Sequence, residues 1–204
     1  MIDLTRDGAL WTVTLNRPEK ANSLTSAMLS DLIGIAQEAR SAAKVFVLTG
    51  AGKVFSAGAD LDEARAGLAT SPLWEDLSGA IADLPCLTIA ALNGTLAGGA
   101  FGMALACDFR LADPGAKFFY PVMKLGFLPQ PSDPKRMVTL IGPARAKMIL
   151  MAGQKITADE ALSWGLVDRL VSAADQGAAI ADLSETPLAA SPDHIAGIKA
   201  LIRP

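Results

Sequence analysis

Apolar residues at alternate positions open the chain. Trp11, Val13 and Leu15 interleave with Thr12 and Thr14. The strand they predict pairs with Ile2 to Arg6 across Asp7-Gly8, giving a hairpin with one buried face. Asn16-Arg17-Pro18 ends it. From Thr25 to about Ala42 the period is helical, with Met28, Leu32, Ile35 or Ala36, and Ala39 along one side. Val45 to Leu48 reads as a short buried strand. It runs into Thr49-Gly-Ala-Gly52 and then Phe55-Ser-Ala-Gly-Ala-Asp-Leu61, a glycine-bearing turn ahead of a helix. Asp62 to Pro72 is small, polar and charged, the pattern of a mobile surface segment. Leu73 to Leu84 suits a helix stopped by Pro85.

The run from Leu87 to Cys107 carries no charge and changes period partway. Leu87 to Leu92 predicts a buried strand, Asn93-Gly94 a turn, and Ala100 to Cys107, apolar on every side, a central helix opened by Gly98-Gly99. Backbone N–H groups in the first turn of a helix have no partner, and glycine there lets a ligand oxygen approach, so this is a place to stabilise an anion. Two plainer readings compete with that one. Gly94, Gly98 and Gly102 mimic a membrane helix-dimer motif, although the glycines interrupt the run near its middle. Small residues also serve simple close packing.

A short strand follows at Phe109 to Ala112. Ala116 to Pro134, with prolines at 121, 129, 131 and 134, must be mostly extended or looped. Helices resume over Lys135 to Ile141 and Ala144 to Ala152. Thr157-Ala-Asp-Glu160 is a capping box, opening a helix that Gly165 ends. Leu166 to Asp168 returns to the sheet, and a last helix runs from about Pro192 to Ile202. Strands and helices alternate without repeats, so the class is α/β.

Composition narrows the function. A chain of 204 residues forms one core without disulfides, and 51% hydrophobic with 5% aromatic content suits α/β packing. The balance of 18 basic and 21 acidic residues, net −3, has no basic cluster, which argues against nucleic acid. Cys86 and Cys107 lack CxxC spacing and read as buried free thiols in a reducing compartment. No signal-peptide layout opens the chain, so a cytoplasmic protein is expected. No metal-ligand spacing, Ser-His-Asp set or phosphate loop appears, and His194, the one histidine, reads as structural or exposed.

Four motifs in order carry a resemblance over essentially the whole chain: Asn16 to Leu24, Phe55 to Leu61, Asn93 to Ala100, and Ile156 to Asp168. The chain resembles the crotonase superfamily, the enoyl-CoA hydratase/isomerase family. The resemblance implies a spiral of repeated ββα units, the ClpP/crotonase fold, with a core over 1–190 and a short C-terminal helix over 191–204. Family members continue past the position of Pro204 with helices that cover the site and pack between subunits. It also implies an acyl-CoA thioester as partner, with no cofactor beyond the coenzyme A of the substrate, no membrane, and a homo-oligomer, commonly a trimer. The thioester oxygen would lie between the N–H groups of Ala59 and Gly99. Along CoA and the acyl group would lie Lys20, Ala21, Ala57, Gly58, Asp60, Leu61, Gly98, Gly102, Pro121, Val122 and Leu125.

One departure matters most for the chemistry. The two glutamates with which family hydratases add water align with Gly102 and Val122, neither of which transfers protons. An aspartate used by some relatives aligns with Gln130, which orients but carries no proton at neutral pH. Tyr120 and Asp133 are the remaining candidates, Lys124 reads as solvated, and Asp62, Glu63 and Arg65 could face the acyl tail. Asp133, among Pro131, Ser132 and Pro134, suits a local cap equally well. Enolate chemistry of the isomerase, decarboxylase or lyase type is therefore expected over hydration, with a catalytically silent acyl-CoA binder as the alternative.

Overall fold

The computed structural model describes residues 1–202, and Pro204 lies outside them. The opening hairpin is β1 (Ile2–Asp7) and β2 (Leu10–Leu15), paired antiparallel. Trp11, Val13 and Leu15 are buried, as the alternation requires. Helix α1 (Ser26–Ala42) starts where the Thr25 side chain accepts from the Met28 N–H, and it buries Met28, Leu29, Leu32, Ala36 and Ala39.

Three copies of one unit follow. In each, a strand of the first sheet leads through a short connection to a strand of the second sheet and then into a helix. The first unit is β3 (Val45–Gly50), β4 (Val54–Ser56) and α2 (Leu61–Arg65), after which α3 (Leu73–Ala82) is inserted. The second is β5 (Leu87–Leu92), β6 (Thr95–Ala97) and α4 (Phe101–Leu105), with a 3₁₀ turn at Gly98–Ala100 opening the helix. The third is β7 (Phe109–Ala112), β8 (Lys117–Phe119) and α5 (Val122–Leu125). After them come α6 (Ser132–Leu150), β9 (Ile156–Thr157), α7 (Ala158–Trp164), β10 (Arg169–Leu170), α8 (Gln176–Ala189) and α9 (Pro192–Ile202).

Among the described residues the first sheet runs β1-β2-β3-β5-β7-β10 and the second β4-β6-β8-β9. Pairings between units are parallel in both sheets. Because β3, β5 and β7 follow one another in one sheet as β4, β6 and β8 do in the other, the chain advances one strand in each sheet per unit. That is a spiral. The main core lies on one side of the first sheet, and a second cluster, Val45, Val47, Ile89, Ala91 and Leu111, lies on the other side against Ile180 and Leu183 of α8.

Several expectations need correction. Helix α8 was not foreseen, because its small and mixed residues, with Pro187 inside, carry little helical period. Asp62 to Pro72 is not a bare mobile segment: it folds into α2 and a 3₁₀ turn, with Leu68 buried and its carbonyl accepting from Trp74 Nε1 at 2.8 Å. The proline-rich span from 116 to 134 is less extended than expected, since it includes β8, α5 and the first turn of α6. Pro131 and Pro134 are tolerated because the opening residues of a helix need no N–H donor. Gly142, at φ 77 and ψ 165 before Pro143, breaks α6 where two helices were predicted. Leu166 to Asp168 does not itself form the returning strand. Instead, Leu166 and Val167 donate to the Ala161 carbonyl, and Asp168 accepts from the Arg110 N–H at 2.7 Å, one step before β10. Among the described residues no helix is long and apolar enough to cross a membrane.

Candidate active site

The connection after β4 is tied to the segment before α1. Ala57 donates to the Ala21 carbonyl at 2.9 Å, and Ser56 Oγ donates to the Asn22 carbonyl at 2.8 Å. Leu24 then straddles Ala59: its N–H donates to the Gly58 carbonyl, and its carbonyl accepts from the Asp60 N–H, both at 2.8 Å. In a parallel bridge of this kind the straddled residue points its own N–H the other way. For Ala59 that direction is away from Leu24, and Ala59 lines a cleft of about 210 Å³.

Gly99 lines the same cleft. It sits second in the 3₁₀ turn that opens α4, where no preceding residue of the turn can accept its N–H. The two turns touch. A Cβ on Gly58, which has φ +91, would lie 2.9 Å from the Ala97 carbonyl oxygen and 3.4 Å from the Gly99 nitrogen, so only glycine allows this approach. Two turns from separate units of the spiral thereby meet, and each contributes a lining residue, Ala59 and Gly99, to the one cleft. The Trp74 ring stands about 3.1 Å from where a Gly99 Cβ would be, so it packs against the side-chain face of Gly99 and leaves little room for a larger residue.

Of the residues singled out in the sequence, Ala57, Ala59, Leu61, Gly98, Gly99, Tyr120, Pro121, Val122, Leu125 and Gln130 line this cleft together. Others stand apart from it. Lys20 is exposed, and Ala21 adopts φ 51 in the turn that pins Ala57. Gly58 acts by its close approach to the second turn. Asp60 caps α2 and pairs with Arg17 at 2.8 Å, and that hydrogen bond, the largest influence, holds its carboxyl below the usual range. Glu63 accepts from the Ser26 N–H and hydroxyl, Asp62 pairs with Arg65, and Lys124 and His194 are exposed. Sequence reasoning missed Ala64, Ala69, Trp74, Phe127 and Leu128, which complete the walls. Their only signal was apolar character, and Trp74, Phe127 and Leu128 lie far from both glycine motifs in sequence. No charged side chain is among the lining residues.

Gly102 and Asp133 meet behind the cleft. Asp133 is fully buried, Tyr120 Oη donates to its Oδ2 at 2.9 Å, and its Oδ1 has no hydrogen-bond partner. A Cβ on Gly102 would lie 3.0 Å from that Oδ1. Burial raises the Asp133 pKa to about 7 against the opposing pull of the Tyr120 hydrogen bond and Arg136, with Glu75 adding to the rise. Burial, followed by the charge of Asp133, likewise raises Tyr120. The Tyr120 ring is stacked on Phe101 of α4, with centroids 5.4 Å apart and planes at 17°. Among the described residues no group of acidic, histidine or cysteine side chains could hold a metal ion.

The two-sheet spiral, with its two touching glycine turns, defines a crotonase-fold protein. A family model described as enoyl-CoA hydratase/isomerase matches residues 5–203. The chain belongs to that family. It is 34% identical over 189 residues to the probable enoyl-CoA hydratase echA6 of Mycobacterium leprae, covering 90% of this chain and 76% of that protein. It is 35% identical over 213 residues to a carnitinyl-CoA dehydratase of Salmonella enteritidis, covering 99% and 80%. A crystal structure of an enoyl-CoA hydratase from Bacillus anthracis matches with a TM-score of 0.91 at 32% identity, over 98% of this chain and 81% of that one.

Proposed function

We propose that this protein binds an acyl-CoA thioester and catalyses proton-transfer chemistry through its enolate. One observation carries the reading: Ala59 and Gly99 line the same cleft, on two glycine turns that touch where a Cβ on Gly58 would lie 3.4 Å from the Gly99 nitrogen. Removing a proton beside a thioester carbonyl develops negative charge on the oxygen, and a fixed donor aimed at that charge contributes roughly 3–4 kcal/mol in other enzymes. The walls favour an uncharged hydrocarbon acyl group, with Leu61, Leu125, Phe127 and Leu128 presenting apolar surface. Decarboxylation is the weaker reading, because a substrate carrying a second carboxylate would meet no cationic side chain in that lining. With glycine at 102 and valine at 122, a double-bond shift suits the site better than hydration, since hydration needs one group to activate water and a second to deliver a proton.

The test is calorimetric binding of CoA and a panel of saturated, 3-enoyl and carboxyacyl thioesters, each mixture then analysed by mass spectrometry and ultraviolet absorbance. Binding and conversion of an unsaturated, uncharged thioester is the expected result. Binding without any conversion would favour the silent acyl-CoA binder, to which the loss of both glutamates also points. No binding of any thioester would leave the turns as packing alone.

A further inference from the structure

The buried acid behind the cleft has a use that the family motifs do not predict. A carboxylate is absent at residue 102, yet a carboxylate occupies that place in space. The Asp133 side chain arrives from the first turn of α6, and its Oδ1 stands 3.0 Å from where a Gly102 Cβ would be. A Cβ at 102 would press on it more tightly than ordinary van der Waals contact, so glycine at 102 and aspartate at 133 fit together as two halves of one arrangement. The acid is not there for an ion pair or a cap, since its Oδ1 has no partner and its Oδ2 is bound by Tyr120 Oη alone. Tyr120 is a wall of the cleft, while Asp133 lies behind it.

We propose that Tyr120 and Asp133 form the single proton carrier of this site, with Tyr120 the catalytic residue at the substrate and Asp133 a positioning residue that acts through it. This deepens the enolate reading and rests on it. In the forward step the Tyr120 oxygen takes the proton from the carbon beside the thioester carbonyl as the Tyr120 hydroxyl proton passes to Asp133 Oδ2. The C–H electron pair moves toward the carbonyl oxygen, where the Ala59 and Gly99 N–H groups hold the charge. Return of the proton from Asp133 through Tyr120 to the carbon at the far end of the conjugated system regenerates the carbonyl and moves the double bond. No proton, electron or water is gained overall, so one carrier is enough where hydration would need two. A carboxyl near neutrality suits the role, because it both accepts and returns a proton at physiological pH. The charged and titratable groups acting on it are Tyr120, Arg136 of α6 and Glu75 of α3, while α4 contributes only Phe101 and Gly102.

The experiment uses a straight-chain 3-enoyl-CoA and follows the absorbance of the conjugated 2-enoyl product, with binding measured separately by calorimetry. Asp133→Asn and Tyr120→Phe are expected to bind the thioester within about threefold of the parent and to lose on the order of 100-fold or more in kcat. The parent kcat/KM should rise with pH through a midpoint near 7, and that midpoint should be absent in Asp133→Asn. Asp133→Glu should keep part of the rate. The double variant Asp133→Gly with Gly102→Glu, which returns the carboxylate to α4, should regain activity over Asp133→Gly alone. An Asp133→Asn protein with the parent's kcat and pH profile overturns the carrier and leaves the enolate reading standing. A parent that binds the thioester but never shifts its double bond overturns both. If Asp133→Asn does not fold, Tyr120→Phe decides: an unchanged kcat there overturns the relay.

Discussion

A carboxyl group in an apolar interior is costly when ionised, and Asp133 is buried with one oxygen bound and the other free. Its native pKa, about 7, lies above the ordinary 3.8, so the native state holds a proton where the unfolded chain has released it. The sign follows: this group's contribution to stability is fully present below about pH 3.8 and is lost as pH rises through about 7. At about 1.4 kcal/mol per pH unit that interval amounts to at most ~4 kcal/mol. Asp133→Asn keeps the shape and cannot ionise. Urea denaturation should find it close to the parent in stability at pH 4 and progressively more stable than the parent toward pH 8, and a constant difference across that range would refute the assignment. The sequence left this residue open between acid and cap, since Pro131-Ser-Asp-Pro134 fits either. Thirty-one positions of chain separate Gly102 from Asp133, and only the packing of α6 against α4 shows that each shapes the other.

At the level of elements, α3 does more than fill the core. Its Trp74 packs against Gly99 and lines the cleft while its Nε1 donates to the Leu68 carbonyl, so one side chain touches both the cleft wall and the segment in front of it. That segment looked mobile because Asp62 to Pro72 has few large apolar residues. What orders it is α2, capped by Asp60, together with burial of Leu68 and the tryptophan hydrogen bond. Trp74→Phe keeps an aromatic side chain but deletes the indole donor and part of the bicyclic ring, while the Leu68 carbonyl keeps the Ser71 N–H at 3.1 Å, so the lost hydrogen bond costs about 1 kcal/mol. The expected outcome is several-fold faster protease cleavage within 61–72, with most of the global stability kept. Cleavage at the parent rate would mean that α2 and Leu68 suffice. Elements with strong local signals were legible in advance: the alternation of β2, the capped helices α1 and α7, and the strands around the glycine turns. Helix α8 was not, because its place is decided by Ile180 and Leu183 covering the outer face of the first sheet.

At the scale of the whole molecule the spiral must be closed where β10 adds to β7, and Arg110 does this. Its guanidinium is buried and donates to the carbonyls of Cys107 and Leu166 and to Asp168, at 2.6, 2.9 and 3.1 Å. Arg110→Met removes the donors and strands two carbonyls, and the partly exposed Asp168 loses its cation. A loss of about 3 kcal/mol is expected, visible as a lower urea midpoint, and a shift under 1 kcal/mol would show that water replaces the arginine freely. The sequence by itself determined the class of fold, the family and the positions of the two glycine turns, because alternation, caps and glycine positions act over a few residues and are written in consecutive letters. It also puts glycine at 102 and valine at 122, neither of which carries a proton. Only the tertiary structure decided that the two turns touch, that Trp74 and Leu128 are walls of the same cleft, and that a carboxylate from α6 stands where residue 102 has none. Those are contacts between distant parts of the chain, fixed by how the spiral stacks its units.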